Sequence, residues 1–540
     1  MPRCHSYWRR RGRLARATRR RTPLLRIILA GPFPESARKN LIRGASSCGA
    51  SGGRDVVASL RGRAARGALH VLALKAIGTV VGRLSEIILP LFLLPADLGV
   101  FALAAFFSGL LALGGELGMS TALVRWKDRF AEAANTAFVL RLALAVALVG
   151  GSLALGWGAS QIYAEPRLTG AIVVLSVGLV FQAIAMVPRV IATRDLDFLK
   201  AGVPDSAGKI AAAVATIGFA VFSFAYWSPI YGAVLGLAFG AGLQVAFSKW
   251  RPRREFRRDL AKEIVRFGKF VSLSVFANFI GHSVDAAIVG LLLGVSSLGF
   301  YAVAYSWGVY FPSNISSVLA AISYPVLSHV SDSSERLKRV LSENLRYFSY
   351  VSVCLSVGVA VLAPVFVLSI YGGVWSPAIA PMRLLAIAGL LLGYAGIAQD
   401  ALLARGLSRT VSLVSGLEAI FLLVLLAPAT LYGGLLGTSL AALAAAVVVA
   451  FGMSRAAARA VGLSWRAWAG AARDALIAGV VTGVPLAILT FFLPTSLPVL
   501  LLGAASFIAG YVGVLQVLTR GQFLGELRNI LHMALRTRLE

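Results

Sequence analysis

Charge is what this sequence has least of. Only 14% of its 540 residues are Asp, Glu, Lys or Arg, against about a quarter in a soluble domain, and 58% are hydrophobic. Such a chain has too little polar surface to enclose a core in water and reads as a polytopic membrane protein. Acidic residues are scarcer still, 23 against 52 Lys and Arg, for a formal charge of +29. In a soluble chain that excess would point to nucleic acid. Here the basic residues sit in short loops and at one end, so no nucleic-acid partner is expected. Cysteine is limited to Cys4, Cys48 and Cys354, too far apart for a disulfide framework or a metal spacing. The five histidines are scattered and give no His-x-x-x-His pair. A Walker loop and a dinucleotide fingerprint are both missing. An ATPase or a soluble-type catalytic domain is thereby excluded, and no enzymatic activity, metal or cofactor is expected.

Long apolar runs are what the sequence does have. The run that organises the chain is His70 to Met119, two segments (His70–Leu94 and Gly99–Met119) joined by Pro95-Ala96-Asp97-Leu98. Each is long enough to cross a bilayer core, which takes about 20 apolar residues in a helix. Further windows follow at Asn135–Trp157, Leu168–Pro188, Val203–Trp227, Pro229–Phe247, Phe270–Leu293, Leu298–Tyr324, Tyr347–Tyr371, Ala378–Leu403, Val411–Leu431, Gly434–Met453, Ala475–Phe492 and Leu497–Leu518. The expected fold is therefore all-α, with about fourteen transmembrane helices. Lys and Arg mark alternate loops: Arg125/Lys127/Arg129, Arg189/Arg194/Lys200, Lys249–Arg266, Arg336/Lys338/Arg339, Arg405/Arg409, Arg455/Arg459/Arg466/Arg473, and the tail Arg528/Arg536/Arg538. The intervening loops are nearly bare, Arg167 excepted. By the positive-inside rule both termini are cytoplasmic.

A repeat divides the chain. Leu98-Gly99-Val100-Phe101-Ala102-Leu103-Ala104 returns as Leu298-Gly299-Phe300-Tyr301-Ala302-Val303-Ala304 at an offset of 200, and Arg194-Asp195-Leu196 has a weaker echo in Arg405-Gly406-Leu407. The Lys249–Arg266 run marks the joint. Each lobe then has six helices and begins and ends on the same side, a parallel repeat of the kind found in secondary transporters. The expected division is a basic cytoplasmic extension over 1–66, a first lobe over 67–250, a second over 251–460, and a terminal helix pair with a cytoplasmic tail over 461–540. The 1–66 extension, with Trp8-Arg9-Arg10-Arg11 and Arg19-Arg20-Arg21, carries too little apolar surface to fold alone. It reads as a disordered tail, as an extension from an early start codon, or as an anionic-lipid tether.

Two parallel six-helix lobes with a terminal pair resemble the multidrug/oligosaccharidyl-lipid/polysaccharide exporter superfamily. Within it, the chain is most similar to the bacterial polysaccharide (O-antigen and exopolysaccharide) repeat-unit flippases. The residues that carry this are Asp97 through Leu103, Glu116-Leu117-Gly118-Met119-Ser120-Thr121-Ala122-Leu123-Val124-Arg125, and Leu298-Gly299-Phe300-Tyr301-Ala302. Ser323-Tyr324-Pro325-Val326-Leu327-Ser328 with Asp332, and Tyr371-Gly372-Gly373-Val374-Trp375 before Pro381-Met382-Arg383-Leu384-Leu385, fit the same pattern. The resemblance spans roughly residues 67–460 and rests on order and spacing rather than on any one string. It implies a cavity between the lobes, residence in the bacterial inner membrane, and export of an undecaprenyl-pyrophosphate-linked oligosaccharide for surface polysaccharides such as lipopolysaccharide. It names a repeat-unit polymerase and glycosyltransferases as candidate partners. The long basic extension departs from the family pattern.

A pyrophosphate with several sugars needs a wet groove lined by counter-charges. Arg83 lies midway along its segment, too deep to snorkel out easily, and is the first candidate to bind it; the competing reading is a self-neutralising pair with Glu86, three residues on. Arg141, Lys209 and Lys269 lie near the cytoplasmic ends of their helices and Arg383 near the outer side, where snorkelling is the simplest reading. If the first three face inward, they gather the pyrophosphate at the cytoplasmic mouth. His282 and Asp285, again three apart, are either a hydrogen-bonded structural pair or a protonation-linked gate. A cation-coupled multidrug exporter of the same superfamily is the alternative function, and would use Glu86 and Asp285 in an aromatic-lined cavity. A membrane glycosyltransferase or polymerase would be expected to carry large extracytoplasmic loops, and those loops are short here.

Overall fold

A computed structural model of the chain describes residues 78–79, 81–126, 129–195, 197–310, 312, 334–521, 523 and 525. The 1–66 extension, the start of the first apolar segment and the Ser323–Ser328 string lie outside the described residues. Among the described residues every regular element is a helix. That is the expected outcome for so apolar a chain, because hydrocarbon offers backbone groups no partner and a helix satisfies them internally. Among the described residues ten helices are long and apolar enough to cross a membrane.

In chain order the helices are α1 (residues 81–88, continued by a 3-10 turn Leu89–Leu91), α2 (Pro95–Glu116), α3 (Met119–Arg125), α4 (Phe130–Ile162), α5 (Arg167–Arg194), α6 (Phe198–Val221) and α7 (Trp227–Phe247). There follow α8 (Arg258–Tyr305, continued by a π turn Ser306–Tyr310), α9 (Ser334–Phe366, continued by a π turn Val367–Tyr371), α10 (Ile379–Ala404), α11 (Ser408–Val461), α12 (Trp465–Phe492) and α13 (Leu497–Leu518). Two helices start ahead of their apolar windows on a polar cap. Asp197 accepts from the Lys200 amide to open α6, five residues before the window at Val203, and Ser464 accepts from the Ala467 amide to open α12.

Two of these helices fold back on themselves. α8 turns at Gly294 (φ 82°) and α11 at Gly434 (φ 56°), left-handed positions that glycine occupies without a Cβ clash. Across the second turn the Thr430 and Thr438 hydroxyls meet at 2.9 Å. Across the first, the Tyr301 hydroxyl of the return arm reaches Asp285 of the outgoing arm. Both turns fall at the breaks the sequence places after Leu293 and Leu431. The Gly99–Met119 window, expected to be one helix, is interrupted instead. Leu117 (φ 41°) and Gly118 (φ 62°) are both left-handed and separate α2 from α3, and Gly268 of α8 packs there so closely that a Cβ would sit 1.7 Å from the Leu117 carbonyl.

Small residues set the helix contacts. Gly232, Gly236 and Gly240, spaced by four, present one face of α7 to α6, where a Cβ on Gly236 would meet the Gly208 carbonyl at 2.6 Å. The terminal pair docks on α9: Tyr511 donates to the Tyr350 carbonyl at 2.9 Å, and Gly479 and Gly483 accept Val353 and Val357. The repeated Leu-Gly marks the crossing of α2 and α8. A Cβ on Gly99 would lie 1.8 Å from the Val295 carbonyl, and one on Gly299 would lie 1.8 Å from the Pro95 carbonyl. Residues 95 and 99 thus meet 299 and 295, the same contact made twice with the partners exchanged. This is a local two-fold, and it crosses α2 with the return arm of α8 at the end of the bundle that carries Gly294 and Gly434.

Candidate functional site

From that crossing toward the basic end, α1, α2 and both arms of α8 enclose a cavity of about 450 Å³. Aromatic rings line two sides of it: Phe106 stacks on Phe279 with centroids 5.7 Å apart, and Tyr301, Tyr305 and Tyr310 run along another wall. Tyr301 meets Tyr305 at 5.9 Å and Tyr305 meets Tyr310 at 5.1 Å. In an α-helix, a spacing of four and then five would rotate the third ring about 140° away from the second. The π turn Ser306–Tyr310 absorbs the extra residue and keeps Tyr310 in line.

This ladder runs from a carboxylate to a cation. At one end the Tyr301 hydroxyl donates to Asp285 Oδ2 at 2.8 Å and the Ala286 amide to Oδ1 at 2.9 Å, all in buried surroundings. At the other end the Arg83 guanidinium lies over the Tyr310 ring, 4.3 Å from its centroid, and Nη1 donates to Glu86 Oε2 at 2.6 Å. The i, i+3 pair expected from the sequence is formed. Arg83 Nε and Nη2, the side edge of the guanidinium, have no hydrogen-bond partner among the described residues, and the side chain remains 30% exposed at the cavity. The guanidinium is thus held on one nitrogen and one face, with a fork of donors left over.

The crossing end of the cavity is tied shut. The second π turn, Val367–Tyr371, sets the Tyr371 hydroxyl to donate to the Ile87 carbonyl at 2.8 Å while accepting from Trp307 Nε1 at 3.2 Å. Tyr163 donates to the Ala287 carbonyl at 3.2 Å. At this end lies Arg167, the one basic residue in the bare loops. It is neutralised by Glu165 (2.8 Å) and Asp97 (3.1 Å) and faces the Tyr226 ring. The hydrogen bond from Arg167 holds the Glu165 carboxyl below the usual carboxylate range, burial opposing it.

Arg141 and Lys209 line a different cavity, of about 520 Å³, enclosed by α2 to α7. Arg141 does not snorkel. Its side chain is 2% exposed, Nη2 approaches Glu116 Oε2 at 3.4 Å, and Nε and Nη1 find no partner among the described residues. Glu116 also accepts from the Ser120 hydroxyl at 2.6 Å. Across the space, Asp205 is shared by Lys209 (3.1 Å) and Arg189 (3.2 Å). The cluster holds three cations and two carboxylates. Arg383 donates to the Ala360 carbonyl at 3.1 Å, a helix contact rather than a cavity one. The side chains of Lys269 and His282 lie outside the described residues. The structure therefore brings Arg83, Glu86 and Asp285 to one cavity and Arg141 and Lys209 to another. Sequence reasoning missed the tyrosine ladder and the place of Arg189 in the second cavity. Tyr301 and Tyr305, four apart, were a usable signal, whereas Tyr310 needed the π turn. Among the described residues no three His, Cys, Asp or Glu side chains converge to hold a metal.

The comparisons agree with this architecture. A family model described as "polysaccharide biosynthesis protein" matches residues 88–380, more than half of the chain. An uncharacterized membrane protein in the cps region of Klebsiella pneumoniae is 22% identical over 370 residues, covering 67% of this chain and 75% of that protein. The succinoglycan biosynthesis transport protein ExoT of Rhizobium meliloti is 23% identical over 300 residues, covering 56% and 61%. In fold the chain is similar to the lipid II flippase MurJ in an inward closed conformation, with a TM-score of 0.69 at 14% identity over 84% of this chain and 99% of that one. With its lobe crossing and central cavity inside the matched span, this multi-pass membrane protein belongs to the family of polysaccharide biosynthesis proteins.

Proposed function

We propose that the chain is a flippase that carries an undecaprenyl-pyrophosphate-linked oligosaccharide repeat unit across the bacterial inner membrane, for surface polysaccharide biosynthesis. The observation that carries this reading is the posture of Arg83, fixed by Glu86 and Tyr310 with its Nε/Nη2 edge left to the interlobe cavity. A forked pair of charge-assisted donors at mid-depth suits a phosphate oxyanion. The family match supplies the glycan side of the argument, and the undecaprenyl carrier comes from the sequence resemblance.

On this reading the basic loops face the cytoplasm, both termini included, and the chain crosses about fourteen times in lobes of 67–250 and 251–460 with the terminal pair beyond. The α2/α8 crossing then closes the outer end, and the lobes rock about it to admit cargo from within and release it outside. Arg141 and Lys209, with Arg189, offer an entry-side cluster of positive charge, with Lys269 as a further contributor. Asp285, under Tyr301, and His282 form the coupling element. The direction is favourable: moving two negative charges out of a negative interior gains roughly 4–5 kcal/mol per 100 mV. A repeat-unit polymerase and glycosyltransferases are its candidate partners.

The aromatic wall with Glu86 and Asp285 favours a second reading, a cation-coupled multidrug exporter. The test that separates the two is surface-polysaccharide export, at matched membrane levels, in a cell dependent on this chain. Arg83→Ala should cut export about 10- to 100-fold, the loss of one or two charge-assisted hydrogen bonds. Arg83→Ala/Glu86→Ala should stay equally low, and Arg83→Lys should recover only part. Full export by the double variant would reduce Arg83 to the partner of Glu86 and remove it from the site.

A further inference from the structure

We propose that the chain binds an anionic glycerophospholipid in a trough on the outer face of α4, with the lipid phosphate held by Arg253 and Arg254. The trough measures about 680 Å³ and is floored by Phe138, Leu142, Val146 and Ala147, an apolar stripe at helical spacing. Val146 is 57% exposed, so this face is turned away from the protein core and toward the acyl chains. Pro252, Arg253 and Arg254 close the trough at the basic end.

The segment that carries these arginines has no regular secondary structure from 248 to 257, yet it is fixed in place. Buried Asn135 accepts from the Arg253 amide at 3.3 Å and donates to Glu255 at 3.2 Å, and buried Thr136 accepts from the Arg257 amide at 3.2 Å. Trp250 packs edge-on against Phe138, centroids 5.4 Å apart. The interlobe connection is thus strapped along the start of α4.

Within that strap the basic side chains differ in their partners. Arg257 pairs with Glu132 and Asp259, Arg129 pairs with the same two carboxylates, and Arg251 donates to the Ser248 and Trp250 carbonyls. Among the described residues Arg253 and Arg254 form no ion pair. Two unpaired guanidinium groups over an apolar trough match the two parts of a lipid: a negatively charged phosphate diester and an acyl chain. A soluble phosphate would leave the trough empty, and a zwitterionic lipid would offset part of the attraction with its own cation. The geometry therefore selects an anionic headgroup.

The test uses the full chain in phosphatidylcholine nanodiscs titrated with phosphatidylglycerol, with native mass spectrometry counting the lipid retained. The wild-type chain should retain phosphatidylglycerol at least tenfold better than phosphatidylcholine, about the worth of one charge-assisted hydrogen bond. Arg253→Gln/Arg254→Gln should erase that preference, whereas Arg455→Gln/Arg466→Gln, which removes two charges from the same end, should keep it. Ala143→Trp, which fills the trough and spares both arginines, should also lower retention. An unaltered thermal midpoint certifies that each variant is folded. Equal retention of the two lipids by the wild-type chain, or undiminished phosphatidylglycerol retention by the double arginine variant or by Ala143→Trp, would overturn the proposal.

Discussion

Tyr301 and Asp285 show what a single contact costs in this interior. Both are almost fully buried, and the tyrosine hydroxyl is a direct donor to the carboxylate, at 2.8 Å. Tyr301→Phe keeps the ring and its packing but takes a donor from a buried acid, a loss of about 1–3 kcal/mol. The thermal midpoint of the detergent-purified protein should fall accordingly, while Tyr305→Phe, in the same ladder, should move it less; equal shifts would mean that the hydrogen bond contributes nothing beyond packing. Glu86 three residues after Arg83 was legible as a pair, because i and i+3 share a helix face. The ring under Arg83 was not. Tyr310 reaches it only through a π turn, and no residue in Ser306–Tyr310 announces one. Nor could spacing show that Arg141 and Lys209, far apart in the chain, would share a cavity with Arg189.

Helices here are organised by where they can touch closely. The α2/α8 crossing depends on two hydrogen atoms, one at Gly99 and one at Gly299, since a methyl group at either would fall within bonding distance of a carbonyl oxygen. Gly99→Ala should therefore force the two helices apart at the closed end. With Leu98→Cys as reporter, buried in the parent at 8% exposure, Gly99→Ala should make the thiol several-fold more reactive toward a membrane-impermeant maleimide added from the outside. An unchanged labelling rate would show that the crossing accommodates a side chain and is not the closing contact. The sequence made this element visible in an unusual way, since the repeated Leu-Gly that revealed two lobes is the contact between them. The breaks at Gly294 and Gly434 were equally plain, each a glycine between two apolar runs. The Leu117–Gly118 interruption was hidden, because leucine in a left-handed conformation has no sequence signature and the cause, Gly268 against its carbonyl, is distant in the chain.

At the scale of the whole molecule, two asymmetries combine. Basic side chains crowd one end, while the other end carries Arg167 held between Glu165 and Asp97. The cavity is sealed at that second end by the crossing and by the Tyr163 and Tyr371 hydrogen bonds. With the basic end cytoplasmic, as proposed, a transporter closed at the opposite end with Arg83 facing the cavity should move an anionic lipid-linked glycan outward. The measurement that tests this most directly is translocation by the purified chain in proteoliposomes, with a fluorescent undecaprenyl-pyrophosphate oligosaccharide in the leaflet that the basic loops face. The account predicts protein-dependent appearance of the glycan in the opposite leaflet, faster when the basic side is held electrically negative and slowed at least tenfold, roughly 1.4 kcal/mol, by Arg83→Ala. A glycan that stays in its leaflet while the same vesicles expel an organic cation would contradict it.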